Sequence, residues 1–221
     1  MLETEELGPQ RAEMIEKQLR RRGITDSAVL AAMEAVPRHE FVPGELRPRA
    51  YEDAPLPIGA GQTISQPYIV AAMTAALRLR PADRVLEIGT GCGYQAAVLS
   101  PLAKEVFTIE CRTELATAAA ERLTRLGYRN VHVHCGDGTL GLPEFAPFGA
   151  VLVAAAAPAV PQPLLAQLAD LGRMILPLGD AEHQELRLIE KHGTEFLATT
   201  LEGCRFVPLV GYYGWHDPSG R

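Results

Sequence analysis

From residue 84 onward, short and mostly apolar runs alternate with longer stretches in which apolar positions recur at helical spacing. Short apolar runs are typical of buried strands, and the longer period is typical of amphipathic helices. The pattern predicts strands at 84–88, 105–110, 130–134, 149–153 and 172–176. It predicts intervening helices at 94–101, 112–126 and 161–170. Such alternation of strand and helix indicates a parallel sheet that helices cover on both faces.

The first 80 residues have a helical pattern instead. Amphipathic spacing and turn residues predict three helices, at 10–22, 26–36 and 68–79. Residues 41–66 lie between the second and third helices, are rich in proline and glycine, and have no clear periodicity. A segment of this length without regular structure is usually functional in a compact domain. We therefore expect a helical extension with a substrate-site loop at 1–80, packed on the α/β domain at 81–221.

The end of the chain predicts two more strands, at 184–191 and 205–213, with a hairpin-like connection around residues 192–194. The whole pattern therefore predicts an α/β fold. Its core is a doubly wound, mostly parallel sheet of the Rossmann-like type, and a helical extension precedes it.

Composition and charge exclude several function classes. The 221 residues are 47% apolar and 22% charged, as in an ordinary globular protein. A net charge of −6 provides no global basic surface, so we expect no nucleic-acid partner. The arginines at 20–22 end a predicted helix, where cations complement the helix dipole. The longest apolar run, at 150–160, is too short to span a bilayer, so we expect no membrane partner.

Cysteine usage indicates the compartment. The four cysteines, at 92, 111, 135 and 204, form no C-x-x-C pair. Free thiols, together with an acidic N-terminus that lacks an apolar signal core, predict a cytoplasmic protein. His132 and His134 share a face of one predicted strand beside Cys135, but no second cluster completes a tetrahedral set. We therefore expect no metal site.

A glycine loop follows the first predicted strand of the sheet. The strand carries Glu87 two residues before Gly89, and Gly91 and Gly93 complete a G-x-G-x-G pattern. Glycine permits a sharp turn and a close approach of the backbone to a ligand. The spacing differs from the G-x-G-x-x-G of dinucleotide dehydrogenases and favours S-adenosylmethionine, whose ammonium an acid can receive. A tight turn that binds no ligand remains the alternative.

Two further acids follow the next two predicted strands. Glu110 ends the second strand, about 20 residues beyond the glycine loop, where a carboxylate can accept hydrogen bonds from ribose hydroxyls. Asp137 lies between Gly136 and Gly138 after the third strand. It could accept a hydrogen bond from the adenine amine or form an Asx turn. All three acidic positions therefore belong to the carboxyl edge of the sheet, where open α/β sheets bind ligands.

With these motifs, the chain resembles the protein-L-isoaspartate (D-aspartate) O-methyltransferases, a repair family of class I S-adenosylmethionine-dependent methyltransferases. The matching blocks lie at 36–43, 50–53, 56–67, 85–94, 136–138, 155–158 and 205–209. The block G-Q-T-I-S-Q-P at 61–67 is specific to this family, whereas other methyltransferases share only the cofactor motifs. Cys92 departs from the serine that is common in the family, and the tail at 211–221 matches nothing that we can assign.

The resemblance implies that S-adenosyl-L-methionine is converted to S-adenosyl-L-homocysteine. The implied methyl acceptor is the free α-carboxylate of L-isoaspartyl residues in damaged proteins and peptides, with D-aspartyl residues left open as a further acceptor. The ester then collapses to a succinimide. The resemblance implies Ser65 as the catalytic residue. The implied cofactor-binding residues are Thr63, Ile64, Glu87, Gly89, Thr90, Gly91, Cys92, Gly93, Glu110, Asp137 and Gly138. The implied substrate-binding residues are Ser65, Gln66, Arg205 and Val207.

The chemistry agrees with these residues. An α-carboxyl group titrates at about 3.3–3.7, so the nucleophile needs no general base at neutral pH. Ser65 can donate its hydroxyl to the second carboxylate oxygen. Alternatively, Ser65 or Gln66 caps the helix predicted at 68–79. The alternatives are another class I methyltransferase acting on a small-molecule carboxylate, and a binding protein without turnover. The absence of an Asn/Asp-Pro-Pro-aromatic motif at 154–158 argues against methylation of nucleic-acid amines. We expect a monomer.

Overall fold

The computed structural model describes residues 2–216, so the last five residues of the tail lie outside the description. The chain begins with helix α1, Leu2–Glu13, which continues through a π-helical segment, Met14–Leu19, and a 3₁₀ turn, Arg20–Arg22. The helical path ends at Gly23, which has a φ of 92°. Because a left-handed residue stops a helix, glycine suits this position. The helix predicted at 10–22 is therefore the second half of a longer helical segment.

The next helices follow their capping signals. Helix α2, Ser27–Ala35, begins where the Asp26 side chain accepts hydrogen bonds from the backbone N–H groups of Ala28 and Val29. Helix α3, Pro67–Leu77, has proline at its first turn, where a missing N–H costs nothing. Between α2 and α3, the irregular stretch contains a small antiparallel hairpin that the sequence did not predict. Its strands are β1, Leu56–Gly59, and β2, Gln62–Ile64.

A seven-stranded sheet forms the centre of the molecule, in the order β5-β4-β3-β6-β7-β8-β9. Its strands are β3, Arg84–Ile88; β4, Glu105–Glu110; β5, Val131–Cys135; β6, Phe148–Val153; β7, Leu168–Gly179; β8, Gln184–His192; and β9, Glu195–Cys204. The helices between them are α4, Tyr94–Leu99; α5, Thr113–Arg125; and α6, Gln162–Ala166. Strands β3 to β7 pair in parallel, whereas β8 and β9 are antiparallel. The predicted doubly wound, mostly parallel α/β fold is confirmed.

Two predicted elements near the end of the chain are wrong. The helix predicted at 161–170 ends at Ala166, because β7 already pairs with β6 at Leu168 and Leu171 takes a positive φ of 60°. The strand predicted at 205–213 is displaced as well. The turn at Gly193 sets His192 opposite Glu195, so the residues that pair with β8 are those of β9. Residues 205–213 instead cross the carboxyl edge of the sheet, where Pro208 makes an isolated bridge to Ala156.

Apolar side chains pack on both faces of the sheet. Val85 of β3 belongs to one core, which also contains Met14 and Met33 from the N-terminal helices. Leu86, its neighbour on β3, belongs to the core on the opposite face. The N-terminal helices therefore share a core with the central sheet. No helix within residues 2–216 combines the length and the apolar content needed to cross a bilayer.

Candidate active site

A cavity opens at the carboxyl edge of the sheet, where β3 and β6 lie side by side. The strand order reverses between these strands, and this is the point at which open α/β sheets bind ligands. The cavity brings together ten of the predicted site residues. They are Thr63, Ile64, Ser65, Gly89, Thr90, Gly91, Cys92, Glu110, Gly138 and Val207.

The glycine loop forms the floor of this cavity by adopting a backbone that other residues avoid. Gly89, Gly91 and Gly93 have φ values of 91°, 52° and 89°. Gly93 does not line the cavity, and it is the N-cap of α4. A Cβ atom at Gly93 would lie 3.1 Å from Leu123 Cδ1 of α5, so glycine also allows close packing there. The loop thus exposes its backbone to the cavity and turns sharply into a helix.

Glu110 is fixed at the cavity wall by its neighbours. Its Oε2 accepts a hydrogen bond from the N–H of Gly91 at 2.9 Å, and its Oε1 accepts one from the N–H of Arg112 at 3.1 Å. The side chain is only 5% exposed. Its Oε1 also accepts from the Cys111 thiol at 3.6 Å. A carboxylate has about four acceptor positions, so this group can still accept from a ligand hydroxyl.

Glu87 occupies a different environment from Glu110. It is fully buried, it does not line the cavity, and neither carboxylate oxygen has a hydrogen-bond partner among the described residues. Burial raises the pKa of Glu87 to about 8; the nearby Thr108 hydroxyl opposes this rise, and the negative charge of Glu110 adds to it. Without a ligand, Glu87 is therefore mostly neutral at pH 7.

Asp137 does not line the cavity. Its Oδ1 accepts hydrogen bonds from the N–H and the hydroxyl of Thr139, at 2.8 and 2.7 Å. Its Oδ2 accepts one from the N–H of Tyr212 at 2.8 Å. Gly138, the next residue, does line the cavity. An Asx-type turn is thus present at Asp137, and its contact with adenine stays a prediction.

A second cavity adjoins the first. Both cavities are lined by Thr63, Ser65, Ala154, Phe206 and Val207. The second cavity is also lined by Gln66 and Arg205, two predicted substrate-binding residues. Ser65 therefore lies on the boundary between the two cavities.

Ser65 is not the N-cap of helix α3. The N-cap of α3 is Gln66, and within residues 2–216 no side chain caps its N-terminal amides. Gln66 Nε2 donates instead to the carbonyl oxygen of Asp53 at 3.1 Å. The Ser65 side chain, half-buried at the cavity wall, remains available to a ligand.

Arg22 is a cavity residue that the sequence did not identify. Its guanidinium carbon lies 3.5 Å from the ring centroid of Tyr68, and its Nη1 lies 2.9 Å from Asp53 Oδ2. Arg22 and Tyr68 both line the second cavity together with Glu202. Burial raises the pKa of Tyr68, and the neighbouring negative charge of Glu202 raises it further. The only sequence signal for Arg22 is its place in a run of arginines before Gly23, which fits a helix end equally well.

The fold and the site define the class of protein. A glycine loop at the switch point, followed by an acid at the tip of the next strand, is the cofactor-binding arrangement of a class I S-adenosylmethionine-dependent methyltransferase. The model of the protein-L-isoaspartate(D-aspartate) O-methyltransferase family matches residues 10–214. The chain belongs to this family.

Individual relatives agree with this assignment. The chain is 54% identical over 205 residues to a protein-L-isoaspartate O-methyltransferase of Koribacter versatilis, covering 93% of this chain and 92% of the relative. It is 52% identical over 206 residues to one of Methanoculleus marisnigri, covering 93% and 94%. A solved protein-L-isoaspartate O-methyltransferase superposes with a TM-score of 0.83 at 30% identity, covering 92% of this chain and 67% of that one. A Plasmodium falciparum homologue, in complex with S-adenosyl-L-homocysteine, has a TM-score of 0.78 at 26% identity, covering 90% and 97%.

Proposed function

We propose that this protein transfers a methyl group from S-adenosyl-L-methionine to the free α-carboxylate of L-isoaspartyl residues in damaged proteins and peptides. The observation that carries the proposal is the position of Ser65 between two adjoining cavities. One has the glycine loop and Glu110 in its walls, and the other is lined by the predicted substrate-binding residues. Family membership supports this substrate over a small-molecule carboxylate.

The first cavity is the proposed cofactor site. Glu110 accepts hydrogen bonds from the ribose hydroxyls, and the backbone from Gly89 to Gly93 packs against the methionine part. Thr63, Ile64, Thr90 and Cys92 complete the walls beside it, and Gly138 bounds the adenine side. The buried Glu87 carboxyl does not line the cavity itself, and the positive ammonium group of the cofactor nearby would favour its ionised form. Among residues 2–216, no group of three or more His, Cys, Asp or Glu side chains could hold a metal ion.

The second cavity is the proposed peptide site. The substrate peptide, on either side of its isoaspartyl residue, contacts Gln66, Arg205 and Val207. Arg22 adds a cation to the same wall. Both arginines can donate several hydrogen bonds to peptide carbonyl oxygens or to carboxylates. Proteins and peptides that contain isoaspartyl residues are therefore the proposed partners.

The residues of the site position and desolvate the reacting groups. The cofactor supplies an electrophilic methyl carbon on a sulfonium sulfur. Ser65 donates its hydroxyl to one oxygen of the substrate carboxylate, and so directs the other oxygen toward the methyl group. No base is required, because the substrate carboxyl is already ionised. The apolar shared walls, Ala154, Phe206 and Val207, limit hydration of the opposite charges and so favour their reaction. The methyl ester leaves the site. The amide nitrogen of the following residue then attacks the ester carbonyl and displaces methanol, which closes the succinimide without further catalysis.

The free cysteines and the composition of the two cavities bear on location and assembly. The cysteines at 92, 111, 135 and 204 are all free, which suits a reducing compartment, so we place the protein in the cytoplasm. The two proposed cavities are built from one chain, so a monomer suffices for the reaction.

Transfer of labelled methyl groups to a synthetic isoaspartyl peptide tests the proposal. The same peptide with a normal aspartyl residue is the control, and small dicarboxylic acids test the alternative substrate class. We expect label only in the isoaspartyl peptide, and S-adenosyl-L-homocysteine should bind in a calorimetric titration. Label in the small acids but not in the peptide would reject the proposed substrate.

A further inference from the structure

The C-terminal turn, residues 209–215, closes one side of the first cavity. Leu209 and Val210 line that cavity, and Leu209 is only 4% exposed. The N–H of Leu209 donates to the carbonyl oxygen of Ala156 at 2.8 Å, and its own carbonyl oxygen accepts from the N–H of Trp215 at 2.7 Å. Trp215 Nε1 donates to the same Ala156 oxygen at 3.0 Å. The turn is thus tied to the end of β6.

Asp137 ties the other side of this turn to the loop after β5. Its Oδ2 accepts from the N–H of Tyr212 at 2.8 Å, while its Oδ1 accepts twice from Thr139. The Thr139 hydroxyl in turn accepts from the N–H of Tyr213 at 3.1 Å. Hydrogen bonds to an ionised carboxylate are stronger than bonds between neutral groups. Because the Tyr212 side chain is 80% exposed, its backbone N–H is the part that holds the turn.

The contact between Asp137 and the turn is too close for any side chain between them. A Cβ atom at Gly211 would lie 2.1 Å from Asp137 Oδ1. Gly138 is confined on its other side, since a Cβ there would lie 2.5 Å from Ile88 Cγ2. The loop and the turn are therefore fitted to each other beside the cavity that Gly138 and Val210 line.

We infer that Asp137 is a positioning residue for cofactor binding. Its carboxylate locks the C-terminal turn onto the loop after β5 and thereby holds two walls of the cofactor cavity in place. The inference rests on the proposed function, because it takes the first cavity as the site of S-adenosyl-L-methionine. It differs from a direct contact with adenine, since Asp137 does not line the cavity and acts through its contacts with Thr139 and Tyr212.

We call the hydrogen bond from the N–H of Tyr212 to the Asp137 carboxylate the lock, and a double-mutant cycle tests it. Asp137→Ala removes the acceptor, and Tyr212→Pro removes the donor because proline has no backbone N–H. Each variant should weaken S-adenosyl-L-homocysteine binding by about 10-fold, the scale of a hydrogen bond to a charged group. The double variant should lose no more affinity for S-adenosyl-L-homocysteine than either single variant does. Tyr212→Ala keeps the N–H and is the matched control. Asp180→Ala is a second control, because Asp180 makes the same kind of turn away from the cavity.

A second readout does not depend on the ligand. Trp215 is the single tryptophan of the chain and belongs to the turn. In the free protein, acrylamide should quench the fluorescence of Trp215 more strongly in Asp137→Ala and Tyr212→Pro than in the wild type. Neither control should show this increase. Melting curves identify variants that have unfolded. A folded variant with unchanged quenching and unchanged binding would overturn the lock.

An analogue of S-adenosyl-L-homocysteine without the exocyclic amine separates the lock from an adenine contact. If Asp137 acts through the lock, Asp137→Ala should weaken the binding of both ligands by the same factor. A loss that disappears with the analogue overturns the inference in favour of the adenine contact. Failure of the wild-type protein to bind either ligand would reject the proposed cofactor site, while the fluorescence result would still decide on the lock.

Discussion

Ser65 shows how a single side chain can carry the proposed function. A serine just before a helix usually caps it, and the sequence alone leaves capping and catalysis open. In the structure, α3 starts one residue later than a Ser65 cap would require, and the side chain lies at the boundary of the two cavities. This placement supports a role in orienting the substrate.

We expect Ser65→Ala to retain S-adenosyl-L-homocysteine binding and to lose methyl transfer by about 100-fold. Misplacement of a reacting group by about an ångström has an effect of this size. The measurements are a cofactor titration, a peptide methylation rate and a melting curve on the same variant. Normal turnover with a lower melting temperature would falsify the catalytic role and indicate a structural one.

Glu110→Ala should weaken cofactor binding by roughly 1.5–3 kcal/mol, because it removes hydrogen bonds to a charged group. This corresponds to about 10- to 150-fold in affinity. The structure adds a second cause, since Glu110 also accepts from the N–H of Gly91 in the glycine loop. Calorimetry with S-adenosyl-L-homocysteine measures the change. Unaltered affinity in the folded variant would be incompatible with the proposed ribose contact.

Glu87 makes stability depend on pH. Its carboxyl has an ordinary pKa of 4.5, and burial raises the pKa to about 8 in the folded protein. A group of this kind contributes stability that is fully present below pH 4.5 and is lost as the pH rises through 8. Between pH 6 and 9, the free energy of unfolding should therefore fall by on the order of 2 kcal/mol more than in Glu87→Gln. Urea unfolding of both proteins across this range measures it, and parallel curves would contradict the buried, neutral carboxyl.

At the scale of elements, the end of the first helical segment determines which of the three arginines at 20–22 reaches the second cavity. Arg20 and Arg21 lie 3.9 and 3.7 Å from Glu16, on the exposed surface. The 3₁₀ turn directs Arg22 elsewhere, onto Tyr68 and Asp53. A helix from the N-terminal extension thus contributes to the cavity that we propose for the peptide.

We expect Arg22→Ala to raise the KM for an isoaspartyl peptide by about five-fold and to leave S-adenosyl-L-homocysteine affinity unchanged. The size is that of an exposed charged contact of about 1 kcal/mol. Arg20→Ala is the matched control, since it removes the same charge from the same turn but lies outside the cavity. Steady-state kinetics at several salt concentrations should show the difference shrinking as salt screens the charge. Equal KM values for the two variants would remove Arg22 from the peptide site.

At the scale of the whole molecule, the site is assembled from distant parts of one chain. The sheet provides the glycine loop and Glu110, the N-terminal extension provides Arg22 and Ser65, and the segment after β9 provides Val207. The extension shares an apolar core with β3, so these parts are held in fixed relation. Catalysis by positioning requires such rigidity.

The sequence determined those features that depend on neighbouring residues. The parallel strands, the glycine loop and the Asp26 cap all follow from local pattern, because strand burial, turn geometry and capping act over a few residues. The family-specific block at 61–67 likewise identified the position of Ser65 and the expected chemistry.

Only the tertiary structure decided the features that depend on distant contacts. It gave Asp137 the N–H of Tyr212 as a partner, brought Arg22 rather than Arg20 to the cavity, and placed the last strand at 195–204 instead of 205–213. A local pattern cannot rank these outcomes, because each arginine fits a helix end and each aspartate fits a turn. The choice depends on which backbone groups the folded chain brings within about 3 Å of each side chain.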